Sequence, residues 1–357
     1  PGTRGVLGWS ARLSPTDAYR EGLRRVLAAP WVWAGAWLAL LLLTLPAALV
    51  LRDMLASHLG ASLVAEQAAA GVHWEWWQEF RAQASGLGTT FVPAILGGAA
   101  VAKNLSDLAD NAPLETVVAG LVGAWLLAWS FLAGGILDRY ARRRPLGAAG
   151  FFGACGTYAG RLLRLGALAL AAYYVMFAHV HRWLFDEGLY AAWTRDLTVE
   201  RQAFALRALL YAVFFALVTL VNLVVDYARV RLVVEDRRSA VFALAAGARF
   251  VRRHAAGALA LYGWNTLGFL LVVAAYVAVA PGAGATGWTL WITVLVGQAY
   301  VLLRLGVKLG FYASQVAYFQ GALAHADYVA APLPEWPESP AVAAVRGRPP
   351  PAPARTP

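Results

Sequence analysis

Few residues in this chain have the type and spacing to do chemistry, and they fall into three groups. His179 and His181 sit two apart near Asp186 and Glu187, and His58, His73 and Glu79 share a second stretch. These are residue types that hold transition metals. A spacing of two, however, turns side chains to different sides of a helix, whereas metal-binding helices favour three or four, so neither a metal site nor a cofactor is expected. Hydrolysis by paired acids would draw on Glu75 and Glu79, which at i and i+4 share a helical face, but such a pair beside aromatics reads as the wetted side of an interfacial helix, and no Gly-x-Ser-x-Gly elbow, His-Glu-x-x-His, phosphate loop or kinase set is present. The single cysteine, Cys155, excludes an internal disulfide and reads as a small packing residue. The third group is uncharged: Asn222, Asn265 and Gln298 in three apolar segments, together with Gly120, Gly123, Gly134 and Gly135 in another, 116–137. Such residues serve as interhelical contacts or line a polar cavity. Asn265 and Gln298 lead the cavity reading because they lie on adjacent segments.

The elements that carry these residues are set by hydropathy. With 60% hydrophobic and 14% charged residues in 357, the chain has too little polar surface for an ordinary soluble fold. A spanning helix needs about 20 apolar residues, because it rises about 1.5 Å per residue across a hydrocarbon core of about 30 Å. Six segments qualify, at 31–51, 116–137, 165–181, 208–225, 255–280 and 286–303, and none contains Arg, Lys, Asp or Glu. Ion-coupled carriers place an ionisable residue near the midplane, so this pattern argues against them. The first segment begins too late and runs too long for a cleaved secretory signal and is expected to be a retained span. Pro281, Gly282 and Gly284 predict a tight turn between the last two spans.

Arginine sets the orientation. The net charge is +10, and all but two of the cations are Arg, placed at the edges of apolar segments rather than on one basic face. They read as topology signals and lipid phosphate contacts, with no nucleic-acid partner. Arg-rich segments precede the first span and follow the second and fourth, while the alternate connections are balanced or acidic. The positive-inside rule then puts both termini in the cytoplasm, with Arg304 and Lys308 marking the inner surface after the sixth span.

A threefold pattern accompanies these edges. Tyr19, Gly22, Arg24 and Arg25 lead into the first span, Phe152, Gly156, Gly160, Arg161 and Arg164 into the third, and Phe242, Gly247, Arg249, Arg252 and Arg253 into the fifth. Each set predicts a basic amphipathic helix in the inner headgroup layer, with Arg24, Arg25, Arg161, Arg164, Arg249, Arg252 and Arg253 as lipid headgroup contacts. The even spans also end alike, Leu137-Asp138-Arg139-Tyr140-Ala141-Arg142 echoing Val225-Asp226-Tyr227-Ala228-Arg229. The run 226–235 (DYARVRLVVE), followed by Phe242 and the Arg252-Arg253 pair, resembles uncharacterised bacterial six-span membrane proteins related to the membrane domain of glycerophosphoryl diester phosphodiesterases. The resemblance covers roughly residues 10–325. It implies an all-α fold in a bacterial inner membrane and a connection with lipid metabolism. In that family the phosphodiesterase chemistry belongs to a separate soluble domain, for which this chain has no room.

The connection 52–115 carries most of the functional interest. Trp74, Trp76, Trp77 and Phe80, interleaved with Glu75 and Glu79, predict a helix anchored at the outer membrane surface. The following run from Phe91 to Ala102, with Pro93, Gly97 and Gly98, is too short to cross and is expected to re-enter or lie flat, as a lid or partner-docking surface. Beyond the sixth span, 309–328 predicts an amphipathic helix along the inner leaflet, and the Pro-rich 331–357 a disordered cytoplasmic tail. The expected whole is one polytopic all-α membrane domain over 1–330, with interfacial helices and a three-unit internal repeat. Its expected role is non-enzymatic binding of membrane lipids or other membrane proteins. The alternative is a carrier or channel for a lipid or small apolar solute, through a cavity under the outer loop.

Overall fold

The structure, a computed structural model, describes residues 13–60, 62–71, 73–92, 97–143, 147–280 and 287–322. Its described elements are all helical, and among the described residues six helical stretches are long and apolar enough to cross a membrane. The chain is a polytopic α-helical membrane protein.

Local sequence sets where the helices start and stop. Ser14 caps α1 (Pro15–Leu27) by accepting from the Asp17 amide, with Pro15 at the first position where its missing N–H is no loss. Pro30 then opens α2 (Pro30–Leu59), the first span. Short helices follow at α3 (Ala65–Ala70), α4 (Trp74–Gln83) and α5 (Gly97–Ala109). Glu115 caps α6 (Thr116–Arg142), which stops at Arg143, held in the left-handed region at φ +56°. α7 (Ala148–Tyr174) continues through a π-helical turn, Val175–His181, into α8 (Arg182–Phe185), and α9 (Leu189–Thr194) follows. α10 (Glu200–Val234) is the fourth span. Ser239 caps α11 (Ala240–Arg253), and His254 breaks it from α12 (Ala255–Val279). α13 (Trp288–Ala322) is the sixth span.

Three expectations need correction here. No break separates a basic in-plane element from the third span: α7 is one helix from Ala148, so of the three expected basic elements those at α1 and α11 are helices separate from the span that follows. α10 runs nine residues beyond the apolar segment ending at Val225. The amphipathic helix expected along the inner leaflet from 309 is instead the buried half of α13, where Leu309, Tyr312, Ala313, Val316, Ala317 and Phe319 are core residues. The physical reason is common to all three. A helix does not stop where hydrophobicity drops, and these segments have neighbours to bury against. The turn at 281–286, Arg144, Pro93 and the 331–357 tail lie outside the described residues.

The three-unit pattern appears as a recurring contact. The start of α7 packs on the end of α6, α11 on the end of α10, and α1 on the end of α13, so the N-terminal helix closes a ring with the last one. Small residues let each pair approach. A Cβ added at Gly22 would lie 2.6 Å from the Ser314 amide nitrogen, and one at Gly247 would lie 2.8 Å from the Ala228 nitrogen. A Cβ at Gly135 would lie 2.6 Å from Cys155 Sγ. Large buried side chains, among them Tyr140, Tyr227, Leu232 and Phe319, gather between these contacts. The core therefore sits at the basic end of the bundle. At the other end, the outward halves of α2, α12 and α13 expose Leu, Val and Trp side chains, as lipid-facing surfaces do.

Candidate functional site

The six apolar segments are free of charge, but the helices built on them are not. Beyond the apolar ends, charged residues three and four apart turn inward. Arg229 Nη1 donates to Asp226 Oδ1 at 2.9 Å and to the Tyr312 hydroxyl at 3.0 Å. The Trp129 indole donates to the same hydroxyl at 2.8 Å, and Gln315 Nε2 donates to Asp226 Oδ2 at 2.9 Å. This network joins α6, α10 and α13, and the Arg229 guanidinium also lies 5.2 Å from the Tyr312 ring centre. The carboxylate and guanidinium neutralise each other inside the bundle, which an isolated charge there could not do.

Beside it is a cavity of about 440 Å³ between α2, α6, α12 and α13, walled by Leu40, Trp125, Phe269 and Phe311 and holding Arg304 and Lys308. These two cations are one helical turn apart on α13. Lys308 Nζ lies 3.9 Å from the Trp129 ring centre and 5.7 Å from that of Trp125. The Arg304 guanidinium lies 5.5 Å from the Tyr300 ring centre and 6.0 Å from that of Phe269. Among the described residues, neither has a carboxylate within 4.0 Å. A second cavity of about 410 Å³ lies on the other side of α6, against α7, walled by Leu126, Leu163, Gly166 and Leu170 and reaching Arg229.

No family model, curated protein or solved structure matches this chain.

Asn222 ties α10 to α7 and α12: it accepts from the Tyr173 hydroxyl, and its Nδ2 donates to the Tyr262 hydroxyl at 3.4 Å. Asn265 and Gln298 do not share a cavity. Asn265, 1% exposed, donates to the Leu261 carbonyl at 2.9 Å and to Ser314 Oγ at 3.0 Å. Gln298 Oε1 accepts from the Trp37 indole at 2.9 Å, about 24 Å of helix rise away from Ser314 along α13. The reason is the antiparallel register of α12 and α13, which stacks Tyr276 on Tyr300 and leaves Asn265 far below Gln298.

The arginines divide in two. Arg24, Arg164, Arg249, Arg252 and Arg253 are exposed, and no carboxylate pairs with them among the described residues. Arg25 is instead 6% exposed and donates to Glu21, the Tyr140 carbonyl and Gln320 at 3.1, 3.1 and 3.0 Å. Arg161 pairs with Asp236 and donates to the Arg237 carbonyl at 3.3 Å. Both are therefore structural ties rather than free headgroup contacts. A nearby turn is held the same way. Burial pushes the Glu235 carboxyl up, but hydrogen bonds from Arg231 and Arg237 outweigh it and hold Glu235 below the usual range.

The outer aromatics also divide. Trp74 is exposed at 55%, but Trp77 and Phe80 are buried at 7% and 3%. The Trp77 indole donates to the Phe91 carbonyl at 3.0 Å, and Phe80 packs against His58 and Phe91. With Trp76 also packed on Phe91, α4 is thus pinned to the rest of the outer connection by three of the four aromatics expected to face the membrane. The histidines belong to this scaffold. His58 Nδ1 accepts from the Trp76 indole at 3.0 Å, His73 caps α4, and His181 Nε2 meets the Ala109 carbonyl at 2.8 Å. Among the described residues no three His, Cys, Asp or Glu converge on a metal position. α5 lies against the end of α12, with Gly98 beside Val277, and lines neither cavity.

The residues that sequence reasoning missed are Asp226, Arg229, Arg304 and Lys308. Their spacing of three and four was the available signal, since it predicts that each span's helix continues through its basic edge.

Proposed function

We propose that this protein is a non-enzymatic lipid-binding component of a bacterial inner membrane, with its basic end toward the cytoplasm. The observation that carries the reading is the set of exposed, acid-free arginines, Arg20, Arg24, Arg164, Arg249, Arg252 and Arg253, on the three helix segments that form the contact ring. Cations so placed fit an anionic headgroup layer, each contributing about 1 kcal/mol near such a surface. The sequence resemblance to proteins related to glycerophosphoryl diester phosphodiesterase membrane domains supports the same setting. The test is purification in native lipid discs with identification of the lipids and proteins that come with it. Enrichment of anionic phospholipids over the bulk membrane is expected. A disc with bulk lipid composition and a stoichiometric protein partner would replace lipid binding with protein binding.

The second reading is a carrier or channel for a lipid or small apolar solute. The two cavities flanking α6 favour it. Lipid exchange between leaflets of reconstituted vesicles, at a rate above protein-free vesicles, is the measurement that would promote it.

A further inference from the structure

We propose that the cavity between α2, α6, α12 and α13 is a site for the phosphate of a phospholipid, held by Arg304 and Lys308; this rests on the lipid-binding reading. Three observations converge on it. The first is unmet charge. An ammonium brings three donors and a guanidinium five, and these two meet only aromatic faces in an apolar cavity, with no carboxylate within 4.0 Å among the described residues. Aromatic faces attract a cation but accept no hydrogen bonds of the strength a charged donor makes, so an anion with several oxygens is what the pair lacks. The nearby Arg229 does not supply it; its charge has the same sign, and its own acid, Asp226, is already engaged by Arg229 and Gln315.

The second observation is depth. Lys308 lies about 30 Å of helix rise from Trp288, the first residue of α13, which equals the hydrocarbon thickness. The Trp33 indole donates to the Leu302 carbonyl at 2.8 Å, so the first turn of α2 is level with the turn before Arg304. Both measures place the two backbones at the inner end of the apolar part of α13, from which the side chains reach Trp125 and Phe269, midway along their own apolar segments. The third is shape and polarity. About 440 Å³ falls within the range of ligand pockets, ~300–1,000 Å³. Its walls are Leu40, Trp125, Phe269 and Phe311, which suit the glycerol and upper acyl carbons rather than a hydrated free ion. Arg304 is exposed, so the cavity opens at the cation that would meet the ligand first.

The shared chemistry is a phosphate ester or phosphate anion, and the test separates its sources. Full-length protein in phosphatidylcholine discs is doped with phosphatidic acid carrying a photoactivatable group on an acyl chain, and labelled peptides are mapped. Wild-type protein should be labelled on the segments around Trp125 and Phe269, with a matched diacylglycerol probe, which lacks the phosphate, labelling at least tenfold less, the size of one lost charge-assisted hydrogen bond. Arg304→Gln with Lys308→Met should lower that labelling by at least the same factor, whereas Arg195→Gln with Arg201→Gln, exposed beside α9 and the start of α10, should leave it unchanged. Millimolar inorganic phosphate should not compete. Equal labelling by the two lipid probes, which needs no variant to fold, would overturn the site, as would indifference to the double substitution. Complete displacement by inorganic phosphate would overturn the lipid assignment in favour of the free anion. Labelling confined to α1 and α11 would remove this site while leaving the broader lipid-binding reading intact.

Discussion

Gly22→Ala tests the packing ring, because two effects of opposite sign act on it and the structure decides which wins. In a helix interior, Ala is favoured over Gly by about 1 kcal/mol, so propensity alone predicts stabilisation. At this site the new Cβ would lie 2.6 Å from the Ser314 nitrogen and 2.7 Å from its Cα, which are backbone atoms that cannot rotate away. Relieving that overlap means moving α1 off α13, and overpacking of this kind costs ~1–3 kcal/mol. The same movement stretches the Arg25 bond to Gln320, 3.0 Å in the native packing, and a hydrogen bond to a charged group contributes ~1.5–3 kcal/mol. Together these outweigh the propensity gain, leaving a net loss of about 1.5–5 kcal/mol. Gly156→Ala is the matched control, since nothing lies within 4 Å of its added Cβ. It should stabilise by up to ~1 kcal/mol. The assay is the surviving monodisperse fraction after heating in mild detergent, read by size-exclusion chromatography. If Gly22→Ala proves as heat-resistant as Gly156→Ala, the close α1–α13 contact does not exist as described.

Arg25→Met should destabilise by ~3–5 kcal/mol in the same heating assay, because it strips hydrogen bonds from Glu21, the Tyr140 carbonyl and Gln320. Arg24→Met, on the exposed side of the same helix, should change stability by less than ~0.5 kcal/mol; equal effects would refute the division of the arginines. Asn265→Leu should cost ~1–3 kcal/mol because it removes the buried partner of Ser314, and Gln298→Leu should cost less at its part-buried site; the reverse order in the heating assay would contradict the α12–α13 register. Glu235, held below the usual glutamate range by Arg231 and Arg237 against the upward push of burial, contributes its full stabilisation above the ordinary glutamate range and loses it as pH falls through that range toward the lower folded value. Glu235→Gln should therefore flatten the acid side of the heat-resistance profile, and parallel curves for variant and wild type would argue against it.

The spans were legible in the sequence because lipid imposes one rule on every residue of a spanning helix. Charge-free runs such as 208–225 and 255–280 mark α10 and α12 without any tertiary information. The site was not legible, since the facing of a charged residue depends on which neighbour its helix acquires. Arg229 and Arg252 look equivalent as basic edges in the sequence, yet one ties α10 to α13 and the other is exposed. Trp74 and Trp77 differ in the same way, because only Trp77 finds the Phe91 carbonyl. Sequence alone therefore determined that this chain crosses a membrane six times, since that follows from transfer free energy residue by residue. Only the tertiary structure decided that Arg304 and Lys308 line a cavity without an acid and that Asn265 answers Ser314 rather than Gln298, since both follow from the register of α13 against α2, α6 and α12.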